Sequence, residues 1–239
     1  MKENYFDHVN RIQTLIQHRA CFPPADEEFK TSPNLVQKCR EDGSICPFYG
    51  DTVVFQLPKS MKQYLSSIQK SLYQEHGKFL SEILPEESLH ITLHDLSAST
   101  KKSEITPKIE SHDNVIKSFL LSLKDKGTIS LVAKGMVSMV ASSIVMLFEP
   151  VDEQVHNTIQ QMYESVDEIC PLPYPLTLHC TLAYYKPGTY PPEEWSSLYK
   201  SISQWNSQNS DGIRFALDSN MIDYQFFCSM KKYESMIYQ

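Results

Sequence analysis

Two kinds of hydrophobic pattern alternate along the chain, and they do so twice. TVVFQLP (52–58) is a short apolar run with β-branched members, ended by Pro58; Leu65, Ile68 and Leu72 then recur at helical spacing. The run predicts a strand, and the spacing predicts a helix over about residues 59–76. In SLHITLHDL (88–96) the period changes to two: Leu89, Ile91 and Leu93 fall on one side, His90, Thr92 and His94 on the other. That is the signature of a strand with one buried face. The order then returns. SSIVMLFEP (142–150) is an apolar run ended by Pro150, Val155, Ile159, Met162 and Val166 follow at helical spacing, and LTLHCTLAYY (176–185) alternates. There Leu178, Cys180 and Leu182 share one side and His179, Thr181 and Ala183 the other. The proline-to-histidine spans, 32 and 29 residues, are close enough to read as a duplicated unit.

Outside the repeated units, Tyr5, Val9, Ile12 and Ile16 predict an amphipathic helix at the start, followed by a proline-rich polar connection over 22–34. GTISLVAKGMVSMV (127–140) reads as a strand or strand pair, 195–205 as a helix, and 213–230 as strands that a hairpin would join. The expected fold class is α+β. Two antiparallel sheets from a duplicated, bilobal fold would face a central cleft, with helices outside. Residues 1–50 are expected to form an N-terminal helical extension, and 51–239 the bilobal domain.

Composition narrows the functions this fold can serve. Of 239 residues, 41% are hydrophobic, sufficient for a packed core, and the formal net charge is −7. Only Arg11, Arg19, Arg40 and Arg214 are arginines. A surface of that charge is poorly suited to long nucleic acids, whose binding rests on many cation–phosphate contacts. A small nucleotide or a single RNA terminus stays compatible. No apolar leader and no run long enough to span a bilayer is visible, and six cysteines are dispersed without a paired spacing. The expectation is a cytoplasmic monomer with reduced thiols, no membrane partner and no cofactor.

The chemistry lies in the repeated string His-x-Thr-Leu, at His90–Leu93 and His179–Leu182. On a strand, residues i and i+2 share a face about 6–7 Å apart, so each wall of the cleft would present an imidazole beside a hydroxyl. Phosphodiester hydrolysis needs a base to activate the attacking oxygen and an acid to protonate the departing one, and histidine performs either near neutral pH. His90 and His179 are therefore the candidate catalytic pair, with Thr92 and Thr181 as hydrogen-bond donors to phosphate oxygens. Either string alone is more simply a structural histidine on a half-buried strand; the matched pair in matched context points to catalysis.

Regular alternation adds His94 to the His90 face and Tyr185 to the His179 face as candidate substrate contacts. It turns Tyr184, Cys180 and Asp95 away. A zinc site built from His90 and His94 is disfavoured by the strand period and by the lack of a glutamate after the first histidine. No glycine-rich phosphate loop is present.

Two His-x-Thr-x strands in a duplicated α+β chain resemble the two-histidine (2H) phosphoesterase superfamily, which includes 2′-5′ RNA ligase-like proteins and cyclic nucleotide phosphodiesterases. DGSICPFYGDTVVFQLP (42–58) further resembles the approach to the first strand in a poorly characterised bacterial branch. The resemblance covers about residues 50–230 and rests on His90, Thr92, His179 and Thr181. It implies metal-independent cleavage or joining of a 2′,3′-cyclic or 2′-5′ phosphate linkage in a water-filled cleft. The competing expectations are a non-catalytic binder of a cyclic nucleotide or RNA end in the same cleft, and an RNA end-joining ligase.

Overall fold

A computed structural model of the chain describes residues 3–17, 22–123 and 127–237. The N-terminal part contains α1 (Tyr5–Gln17), the two-residue strand β1 (Phe29–Lys30) and a 3-10 turn over Pro33–Gln37. The first repeated unit is β2 (Tyr49–Gln56), α2 (Lys59–His76) and β3 (His90–Ser99); α3 (Lys102–Ser122) and β4 (Thr128–Met139) lead to the second. That unit is β5 (Ser143–Pro150), α4 (Glu153–Asp167) and β6 (His179–Tyr184). The chain ends with β7 (Thr189–Tyr190), α5 (Pro192–Gln208), β8 (Ile213–Asp218), β9 (Ile222–Ser229) and β10 (Lys232–Ser235).

Two four-stranded sheets form, in the orders β10-β9-β2-β3 and β6-β5-β4-β8, with all pairings antiparallel. Each repeated unit contributes an inner strand, β2 or β5, and an edge strand carrying its histidine. The chain trades strands between the lobes: β4 joins the second sheet, and β9 and β10 return to the first. The expected hairpin over 213–230 is thereby corrected. β8 pairs with β4 and β9 with β2, so these consecutive strands lie in different sheets.

Helical spacing becomes burial. In α2, Met61, Leu65, Ile68 and Leu72 are buried, and in α4 Ile159, Met162 and Val166. Each such side chain contributes about 1.5–3 kcal/mol on leaving water. Asp152 caps α4, its carboxylate accepting the Val155 N–H at 2.9 Å. α3 lacked a legible stripe: it holds Pro107 within its first turns and buries only Ile105, His112, Ile116 and Leu120. A satisfied polar cluster fixes it instead. The fully buried Asp51 carboxylate of β2 accepts from His112 Nε2 at 2.6 Å, Tyr224 Oη at 2.7 Å and both the N–H and hydroxyl of Ser97. These bonds tie α3, β9 and β3 to one strand, and they offset the cost of burying a carboxylate.

The turn between β4 and β5 places Val140 and Ala141 at φ 44° and 51°, the mirror-image turn suited to a two-residue hairpin. A β-branched residue in that region is strained. The Ser32 N–H donates to the Ala141 carbonyl at 2.9 Å, holding the turn from outside. Among the described residues no helix is long and apolar enough to cross a membrane.

Candidate active site

The leucine of each repeated string is an extra residue in its strand. On β3, Thr92 pairs with Val54 and His94 with Val53, leaving Leu93 without a partner. On β6, Thr181 pairs with Val145 and Ala183 with Ile144, leaving Leu182 without one. Both are β-bulges, which advance the side-chain alternation by one position. The residue five places after each histidine therefore joins the face of that histidine and its threonine. His90, Thr92 and Asp95 oppose Gln56, Val54 and Thr52; His179, Thr181 and Tyr184 oppose Leu147, Val145 and Ser143.

This register corrects four sequence expectations. Asp95 and Tyr184, expected to point away, line the cleft with the two His-Thr pairs. His94 is turned to the opposite face. It is 1% exposed, is still among the residues lining the cavity, and packs its ring 4.9 Å from that of Tyr163. Both its nitrogens are engaged, Nδ1 with the Asp95 carbonyl at 2.6 Å and Nε2 with Asp167 Oδ1 at 3.3 Å. Tyr185 is also 1% exposed, packs edge-on to Phe29 at 5.0 Å, and lies outside the cavity wall. Regular alternation fails because one inserted residue inverts every position beyond it.

His90, Thr92, His179 and Thr181 line one cavity of about 1510 Å³. The imidazoles are oriented by the same device. His90 Nδ1 lies 2.8 Å from the Ser88 carbonyl, and His179 Nδ1 lies 2.7 Å from the Thr177 carbonyl. A carbonyl only accepts, so Nδ1 carries the proton in both rings, and Nε2 is the nitrogen left for proton transfer. The second of these carbonyls is itself positioned. From α1, Arg11 donates to the Leu176 carbonyl at 2.7 Å and to Thr177 Oγ1 at 2.8 Å, while pairing with Glu3 at 2.8 Å.

The environment separates the two rings. Desolvation lowers the His90 pKa to about 4; the Ser88 bond and Asp95 oppose this, and His179 and Lys62 add to it. Desolvation also lowers the His179 pKa, but the Thr177 bond and then the Asp95 charge oppose it, with Lys38 acting the other way. His90 is thus held neutral, and Asp95 favours a proton on His179. Aromatic rings surround the pair: Tyr233 meets His90 edge-on at 4.7 Å, and Tyr174, Tyr184 and Phe227 complete that part of the wall. Tyr174 Oη donates to Asp95 at 3.3 Å.

Cys180 lies on the core side, 1% exposed, with burial pushing its thiol up to about 12. It is a packed residue and not a nucleophile. Among the described residues no three His, Cys, Asp or Glu side chains converge as a metal-binding set.

Sequence reasoning missed Arg11, Lys38, Asp95 and Tyr184, as well as the aromatic wall residues Tyr174, Phe227 and Tyr233. Asp95 and Tyr184 had no signal in the repeated string, which ends at the leucine in both copies; only the bulged register places them. Arg11 and Lys38 lie outside the repeat and had none.

Comparison with known proteins agrees with this architecture. Residues 38–146 match the family model described as 2H-phosphodiest, Domain of unknown function (DUF1868), a span that includes β2, β3 and the first histidine. The fold is similar to a conserved protein of unknown function, ATU0111, from Agrobacterium tumefaciens str. C58, with TM-score 0.65 and 12% identity over 87% of this chain and 92% of that one. TT0787 of Thermus thermophilus gives TM-score 0.47 and 13% identity over 78% and 94% of the respective chains. E. coli LigT complexed with 3′-AMP gives 0.45 and 11% over 79% and 95%. No curated protein matches the chain. Over residues 38–146 the chain is thus similar to the family of two-histidine phosphodiesterases, and the second His-x-Thr strand lies beyond the matched span.

Proposed function

We propose that the chain is a phosphodiesterase that hydrolyses a 2′,3′-cyclic phosphate or related 2′-5′ linkage in a small nucleotide or RNA end, with His90 as base and His179 as acid. One observation carries the reading: two His-Thr pairs line a single cavity, each imidazole having its Nδ1–H fixed on the carbonyl two residues earlier. That leaves a lone pair on His90 Nε2 to take a proton from water. The water oxygen bonds to phosphorus, the P–O bond to one ribose oxygen breaks, and that oxygen takes the proton from His179 Nε2. Thr92 and Thr181 donate to the non-bridging oxygens, where negative charge gathers. The product is a ribose phosphomonoester, and exchange of protons with solvent resets both rings. Two imidazoles supply the acid and the base, so no step calls for a metal.

The charges favour this assignment over its reverse. Lys62 and the partner imidazole disfavour a proton on His90, whereas the strongest charge acting on His179 is Asp95. A cavity of about 1510 Å³ exceeds the 300–1,000 Å³ of most small-ligand pockets, leaving room for a nucleotide and its water.

The test is turnover of a panel of 2′,3′-cyclic mononucleotides and short 2′-5′ and 3′-5′ oligonucleotides by native protein and by His90→Ala and His179→Ala. Phosphomonoester product from the native protein, lost in both variants, is the expected result. Tight binding of the same ligands with no product on long incubation would replace the enzyme by a binding protein. Joining of RNA ends with no hydrolysis would identify a ligase.

A further inference from the structure

Three cations reach the cavity wall from the segment before β2: Arg11, Lys30 and Lys38. Two are already paired, Arg11 with Glu3 at 2.8 Å and Lys30 with Glu28 at 3.6 Å. Lys38 has no carboxylate within ion-pair distance among the described residues. Its ammonium lies between two aromatic faces, 5.4 Å from the Phe48 centroid and 5.5 Å from that of Tyr184. Tyr184 is the cavity-facing residue two positions beyond Thr181 once the bulge is counted. Lys38 therefore stands beside the second His-Thr pair.

Its backbone is held on both sides. The Lys38 N–H donates to the Leu35 carbonyl at 2.9 Å, closing the 3-10 turn, and its carbonyl accepts from Cys46 N–H at 2.8 Å. Further back, β1 pairs with β7, and Thr31 N–H donates to the Gly188 carbonyl at 3.0 Å. The segment is thus fastened to both lobes, and the side chain it delivers is preorganised. Lys38 is half-buried, and an aromatic face attracts an ammonium less strongly than an anion does. An anion in the cavity would complete its shell. Asp95, Glu27 and Glu28 also face this space, so an anion needs a local positive group to enter at all.

We infer that Lys38 is a substrate-binding residue that holds an anionic phosphate oxygen beside the His179–Thr181 pair, and that it makes the cavity select charged nucleotides over nucleosides. This rests on the phosphodiester reading above. Lys38 takes no part in proton transfer and acts in binding, as a point charge on the phosphate.

The experiment pairs binding with turnover. Binding of adenosine 2′-monophosphate, with adenosine as the uncharged control, is measured by calorimetry for native protein, Lys38→Met and Lys38→Arg; KM and kcat are measured on 2′,3′-cyclic AMP. Methionine keeps the apolar stem between the two rings, and thermal melting checks that each variant is folded. The native protein should prefer the nucleotide to the nucleoside. Lys38→Met should weaken nucleotide binding and raise KM by about 10- to 100-fold, with adenosine binding little changed, as expected for losing a hydrogen bond to a charged group. Lys38→Arg should recover most of the loss.

Equal nucleotide affinity in native and Lys38→Met protein, or no nucleotide preference in the native protein, overturns the inference. Lys38-dependent binding without turnover would leave it standing while removing the hydrolase reading. Turnover with an unchanged KM in Lys38→Met would do the reverse.

Discussion

The two histidine strands are built alike and set in unlike surroundings. In both, the ring is fixed through the carbonyl two residues earlier, the threonine follows on the same face, and the leucine forms a bulge. In both, the other lobe secures the bulged stretch. Gln69 of α2 donates to the Leu182 carbonyl at 2.9 Å, and Asp167 Oδ1 of α4 lies 3.3 Å from His94 Nε2. On the cleft face the difference begins five residues after the histidine, where β3 carries Asp95 and β6 carries Tyr184. It widens in what the rest of the chain adds: β10 sets Tyr233 against His90, while α1 and the segment after it bring Arg11 and Lys38 towards His179. A duplication supplies two alike imidazoles, and the charges beside them differ: Lys62 stands by His90, while Asp95 and Lys38 act on His179 in opposite directions.

The largest expected effect would show whether both strands are needed. His90→Ala and His179→Ala should each lower kcat on 2′,3′-cyclic AMP by about 10²–10⁴-fold, and the double variant should lose little more, because the two groups act in one step. If either single variant keeps full turnover, the symmetric reading fails. Next come the hydroxyls. Thr92→Val and Thr181→Val should each cost about 10²-fold in kcat, the usual consequence of removing one donor to developing charge, with circular dichroism unchanged.

The cross-lobe ties should report on stability instead. Gln69→Leu leaves the Leu182 carbonyl without that donor, and His94→Leu leaves Asp167 without its imidazole. Urea unfolding should find each variant less stable by about 1–3 kcal/mol. Activity that survives His94→Leu would agree with its place outside the catalytic face; loss of kcat in a folded variant would restore it as a substrate contact.

The smallest effect concerns the asymmetry itself. Plotted against pH, kcat/KM reports the free enzyme: it should rise as His90 loses its proton near about 4 and fall as His179 loses its own below the ordinary imidazole value. Asp95 raises the His179 pKa, so Asp95→Asn lowers it, and the falling limb should move to lower pH while the rising limb moves less. A falling limb that stays in place would mean that Asp95 does not set the acid.

The strand–helix–strand repeats around residues 52–93 and 142–182 were legible because period two and period 3.6 record which face meets the core. The histidines and threonines of the repeated motif were legible because two positions along a strand preserve the face. His94, Tyr185, Asp95 and Tyr184 were misplaced for one reason. Leu93 and Leu182 look like ordinary inward positions, and only their unpaired register reveals the inserted residue. α3 stayed hidden because its anchor is the polar contact of His112 with a carboxylate 61 positions away.

The sequence alone determined the duplicated pattern, the α+β class and the four residues of the repeated motif. These follow from local periodicity, which a chain carries wherever it folds. Tertiary structure decided which sheet received β8 and β9, which side chains filled the fifth position of each wall, and where Arg11 and Lys38 arrived. Those outcomes depend on bulge register and on packing between distant segments, and neither leaves a periodic trace along the chain.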